Sequence, residues 1–160
     1  MSLYKYLIFL SPFLGIVSCD SSRSNQEKID LMSYGLPIEI KGPKTIKVQV
    51  DDLGIMKDAT VIDTVNNGYN LQIFSSKTDV LDKAKIIAEA KQEIESSEFF
   101  SKLIVEDSDG FVYEKKVSDD YINYDFRVFR LRGDMAYTFQ AGFGEQYELE
   151  DVKNMFNAVK

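Results

Sequence analysis

The sequence predicts an α+β fold: a central antiparallel sheet with one long internal helix and a C-terminal amphipathic helix packed on it. Three observations lead there. Apolar residues alternate in steps of two over several short stretches, the spacing becomes helical over residues 79–96 and again near the C-terminus, and strands follow one another without regular strand–helix–strand alternation.

Residues Pro37 to Lys41 supply a short first strand. Ile46, Val48 and Val50 then alternate with Lys47, Gln49 and Asp51, the pattern of a strand with one wet face. Residues 60–65 are rich in β-branched side chains, Asn66-Asn67-Gly68 can turn, and Tyr69 to Ser75 resumes the alternation with Leu71 and Ile73 inward, so a hairpin is expected.

From Asp79 to Ser96 the period changes. Val80, Ala84, Ile87, Ala90 and Ile94 fall on one helical face, Thr78 or Asp79 can cap the first N–H groups, and Asp79 and Asp82 put negative charge at the positive end of the helix dipole. Two more hairpins follow. Leu103 to Glu106 and Phe111 to Val117 flank Asp107-Ser108-Asp109-Gly110, while Ile122 to Arg132 and Met135 to Ala141 flank Gly133-Asp134.

In the long strand Ile122, Tyr124, Phe126 and Val128 share an inner face and Asn123, Asp125 and Arg127 an outer one. Phe129 and Leu131 then carry apolar character to the opposite face, through a bulge, a sheet corner or a second layer. Leu149, Val152, Met155, Phe156 and Val159 close the chain as an amphipathic helix behind the acidic start Glu148, Glu150 and Asp151.

Over residues 34–160 this element order resembles MOG1/PsbP-like domains, in which a central antiparallel sheet carries helices and a final strand leads through a loop into a closing helix, here Met135 to Lys160. The resemblance implies an accessory or binding module rather than an enzyme. It transfers no site residue.

The N-terminus has a different character. Leu3 to Lys5 form a short, weakly basic start, and the apolar run Tyr6 to Val17 is too short to span a bilayer comfortably but suits a cleavable export signal. Ile16-Val17-Ser18-Cys19 resembles the lipobox of bacterial lipoproteins. That resemblance implies cleavage before Cys19, a diacylglycerol on its thiol and an acylated (palmitate-type) amine, giving the two or more chains that stable anchoring takes. The expected organisation is a signal peptide over residues 1–18, the lipidated cysteine and a flexible tether over 19–33, and one α+β domain over 34–160. The expected location is the bacterial cell envelope, facing the periplasm or the surface.

Composition narrows the function classes. The formal charge is −7, and losing Lys5 with the signal makes it −8, which opposes nucleic acid and anionic headgroups alike. Membrane attachment is therefore expected through the lipid, with an envelope protein as partner. Histidine is absent, which removes histidine-dependent catalysis, and the lone cysteine permits no intrachain disulfide. No cofactor motif is present, and no cofactor is expected.

Few residues suggest chemistry. Asp107 and Asp109 have the spacing of the start of a calcium loop, but the twelfth position of such a loop is Ser118 rather than a glutamate, so a hairpin turn explains them. Arg132-Gly133-Asp134 spells an integrin-type tripeptide that a tight turn also explains. Glu145, Glu148, Glu150 and Asp151 form an acidic cluster suited to a cation, a basic partner or a helix start. Tyr113, Tyr121, Tyr124, Tyr137 and Tyr147 fit a binding face or core packing. Asp51 with Asp52, and Asp119 with Asp120, point to opposite strand faces and are poorly arranged for shared acid/base work. No catalytic residue is assigned. The expectation is a membrane-anchored envelope lipoprotein with a non-enzymatic binding or accessory role, the alternative being a carboxylate-based envelope hydrolase acting on glycan.

Overall fold

A computed structural model describes residues 26–118 and 120–160; the expected export signal, Cys19 and Asp119 lie outside the described residues. In chain order the elements are β1 (Glu27–Asp30), β2 (Glu39–Gly42), β3 (Ile46–Asp52), β4 (Met56–Asp63), β5 (Asn70–Lys77), α1 (Lys83–Glu95), β6 (Phe100–Glu106), β7 (Gly110–Ser118), β8 (Tyr121–Arg132), β9 (Met135–Ala141) and α2 (Leu149–Ala158). All strand pairs are antiparallel. The fold is α+β and dominated by a seven-stranded sheet in the order β3-β4-β5-β9-β8-β7-β6, with β1 and β2 forming a separate pair.

Two three-stranded meanders, β3-β4-β5 and β6-β7-β8, make the halves of the large sheet. β9 completes it by pairing with β5 on one side and β8 on the other. The hairpins fall where alternating apolar residues meet turn-forming ones, as at the Gly133 turn (φ +61°) between β8 and β9.

One face carries the main core. Val61, Leu71, Ile73, Val128 and Phe139 of the sheet meet Val152, Met155 and Phe156 of α2, and Leu31, Ile38 and Ile40 seal its margin. The Phe126 and Phe156 rings meet edge to face at 6.1 Å. On the opposite face Ile87 of α1 packs with Phe111, Tyr113 and Phe129. The switch of apolar character at Phe129 thus reflects a second layer, since β8 and β9 stay in register through Val128 to Arg132.

Two expectations are corrected. The internal helix has 13 residues and begins at Lys83 rather than Asp79. Its cap is Asp82, whose carboxylate accepts from Lys85 N at 3.2 Å, while Thr78 Oγ1 accepts from Val80 N at 3.1 Å and holds a turn. Ala84 accordingly lies exposed instead of inward. Residues 27–33, expected to belong to a flexible tether, are also part of the fold. Ile29 pairs with Ile40 across the β1–β2 ladder, Leu31 N donates to Ile38 O at 3.0 Å, and Leu31 is fully buried. Among the described residues no helix is long and apolar enough to cross a membrane.

Candidate functional site

Strand alternation places Arg130 and Arg132 on the face of β8 that carries Phe126 and Val128 toward α2. The main core ends at Val128, so these two side chains reach past it to the β1–β2 sheet. Arg130 lies over the Phe139 ring at 5.2 Å and donates from Nη1 to the Glu39 carbonyl at 2.6 Å, while Arg132 donates to the Pro37 carbonyl. Between the β1–β2 pair, the end of β8 and the C-terminus of the chain is a cleft of about 430 Å³.

Its charge is unlike that of the chain. Lys28, Lys41, Arg130, Arg132 and Lys160 line it with a single acidic side chain, Glu39, beside the apolar residues Ile38, Ile40, Leu131 and Tyr137. Lys28 pairs with Glu39 at 3.1 Å and Lys160 with Asp107 at 2.6 Å. Among the described residues Lys41, Arg130 and Arg132 have no carboxylate within 4.0 Å. Burial pushes the Arg130 guanidinium below its ordinary value while Asp109 acts the other way, and a guanidinium stays charged regardless. Each arginine has five N–H donors, and the bond to a backbone carbonyl occupies one, leaving donors for an anionic guest.

A second polar site corrects the expected wet face of β8. Asn123 and Asp125 are buried, because residues 142–147 fold back over them. The Asp125 carboxylate accepts from Tyr113 Oη at 3.0 Å, Lys115 Nζ at 3.1 Å and Arg127 Nη1 at 3.2 Å on one oxygen, and from the backbone N–H of Phe126 (2.8 Å) and Ala141 (3.1 Å) on the other. Burial, with Asp125 beside it, raises the Tyr113 phenol. Asn123 donates to the Glu145 carbonyl at 3.1 Å and accepts from Tyr147 N at 3.0 Å. A cavity of about 280 Å³ lies above this network. With five donors on its two oxygens, the Asp125 carboxylate is fully engaged within the protein, so the network serves to fasten β7, β8 and β9 together.

The remaining candidates are absorbed by the fold. Asp107 accepts from the N–H groups of Asp109 (2.8 Å) and Gly110 (3.2 Å) and pairs with Lys160; burial pushes its carboxyl up, but these partners outweigh it and hold the group below its ordinary value. Asp109 pairs with Lys83 at 2.5 Å. Both aspartates thus close the β6–β7 turn against α1 and the C-terminus, and among the described residues no cluster of three or more acids, histidines or cysteines could hold a metal.

Arg132 of the Arg-Gly-Asp turn is engaged at Pro37, and the Asp134 carbonyl accepts from Thr78 N at 2.9 Å. In the acidic cluster, burial raises the Asp151 carboxyl, with Glu148 and Glu150 adding to the effect. The tyrosines do not gather into a face, since Tyr113, Tyr137 and Tyr147 are buried and Tyr121 is exposed. Asp51 and Asp58 stand directly opposite each other on β3 and β4, as neighbours along one sheet surface rather than across a cleft.

The sequence reading did not find the basic cleft, because its cations come from positions 28, 41, 130, 132 and 160. The one local signal was the pair of arginines spaced by two where an apolar strand face ends. Compared with family models, with curated proteins and with solved structures, the chain matches none.

Proposed function

We propose that this chain is a bacterial envelope lipoprotein, anchored through lipid on Cys19, whose α+β domain has a non-enzymatic binding role and uses the basic cleft to hold an anionic component. The observation that carries the binding role is the group Lys41, Arg130 and Arg132, three cations without a carboxylate neighbour on a chain of formal charge −7. Desolvating arginine without an ionic partner is costly, and an anionic guest would offset that cost. The lipobox-like Ile16-Val17-Ser18-Cys19 supports the anchor. The order of β9, a loop and α2 at the C-terminus supports kinship with MOG1/PsbP-like accessory domains. An envelope protein presenting an acidic surface is a partner of matching charge, and the location follows the anchor: periplasmic or surface-facing at a bacterial membrane.

The test is a Cys19→Ala variant expressed beside the wild type with a radiolabelled fatty acid. The variant is expected to lose the label while keeping its folded domain. Unchanged labelling would overturn the anchor. Crosslinking of the anchored protein in its native envelope then reads the partner.

A further inference from the structure

We infer that the cleft between the β1–β2 sheet and the end of β8 is a binding site for a phosphate monoester. The inference deepens the binding role proposed above by naming the site's ligand class. It does not depend on the lipid.

Charge selects the ligand. Once Lys28 is matched by Glu39 and Lys160 by Asp107, three cations remain in the cleft lining. A carboxylate would balance one of them, whereas a phosphate monoester carries about −1.5 to −2 at neutral pH and three acceptor oxygens. Geometry agrees. Two planar guanidinium forks two residues apart on one strand face suit phosphate oxygens, and Lys41 adds a point charge. Both arginines are held in place beforehand by backbone carbonyls, and Arg130 also by the Phe139 ring, which lowers the entropy lost when a ligand binds.

Size and lining add the rest. The volume of about 430 Å³ falls in the usual range for small-ligand sites, and Leu131, with the edge of Ile38, offers apolar surface to the organic part of the ester. Such an ester has two sources, a free metabolite or a lipid headgroup. With Cys19 anchored, the stretch before β1 would keep the cleft within about 30 Å of the headgroups, because an extended residue spans at most ~3.6 Å.

The experiment uses the full chain as the unlipidated Cys19→Ala form. Glycerol 3-phosphate is titrated by calorimetry, and sedimentation is measured with phosphatidylcholine vesicles containing either phosphatidic acid, a monoester, or phosphatidylglycerol, a diester. Arg130→Gln/Arg132→Gln is compared with Lys47→Gln/Lys85→Gln, which removes the same charge away from the cleft. The expected result is binding that the arginine pair weakens at least tenfold and the lysine pair leaves within twofold.

Arginine-dependent binding of glycerol 3-phosphate would support the site with a free ester as its ligand. Arginine-dependent binding confined to phosphatidic acid vesicles would support it with a headgroup as its ligand. No binding to either probe, equal losses in both double variants, or no preference for monoester over diester would overturn it. Thermal melting checks the arginine variant; if it unfolds, Lys41→Gln replaces it and is expected to weaken binding at least threefold, an unchanged affinity overturning the site. Fatty-acid labelling of Cys19 reads the anchor alone and this titration reads the cleft alone, so the two can fail separately.

Discussion

Asp125 and Asp58 are both carboxylates on the sheet face that α1 only partly covers, and their surroundings differ. Five donors converge on Asp125, so its charge is matched where it is buried. Asp58 is raised by burial and by Asp51 directly across the ladder, which favours its neutral form in the folded state. A carboxyl whose folded value is raised contributes stability that is fully present below the unfolded value near 3.8 and lost as pH rises through the folded value. Asp58→Asn should therefore raise the melting temperature at pH 7, by about 2 °C, with the gain vanishing near pH 3. Calorimetric scans across that range check it, and a variant less stable than wild type at pH 7 would refute it. Sequence alternation could not separate the two residues. It assigned Asp125 to water because parity says which face a side chain occupies and not what later covers that face.

At the level of elements, the hairpins were legible because each joined two stretches of alternation through a turn rich in Gly, Asn or Asp. The internal helix was legible by period but neither by start nor by length: Thr78, Asp79 and Asp82 can each cap, and with Asp82 as the cap it is 13 residues rather than a long helix. β1 was hidden because its four residues hold one apolar side chain, Ile29, too few to show a period, and its partner β2 lies across a turn. α2 was read correctly from its spacing. At 10 residues it is too short to be stable alone, so packing must hold it. Phe156→Ala should accordingly cost about 3–5 kcal/mol in guanidinium unfolding, because a side chain 2% exposed leaves a cavity against Phe126. A loss below about 1 kcal/mol would mean that α2 contributes little to the domain.

Across the whole molecule, the antiparallel α+β class could be read from the order of elements, but the position of β9 could not. Consecutive strands usually pair, and β8–β9 do; nothing local says that β9 also pairs with β5, about 65 residues earlier. Both edges of the large sheet carry features that oppose strand addition. β3 carries Lys47, Asp51 and Asp52, and β6 breaks its register twice, which discourages edge-to-edge association. A chain ending at Gly133 lacks the strand that joins the two meanders and the helix that covers them. It should show no cooperative unfolding transition, and in the intact protein the amides of β9 should be among the slowest to exchange with deuterium. Cooperative melting of the truncated chain would show that β9 is dispensable.

That central β9 also orders events in time. The strand that joins the two halves of the sheet, and the helix that seals one face, are synthesised after all the other described elements. Until they emerge from the ribosome β5 and β8 lack the strand they share, so the two meanders cannot join into one sheet. For an envelope protein, as proposed here, such a delay would keep the two meanders separate while they cross a membrane and leave their joining to the far side.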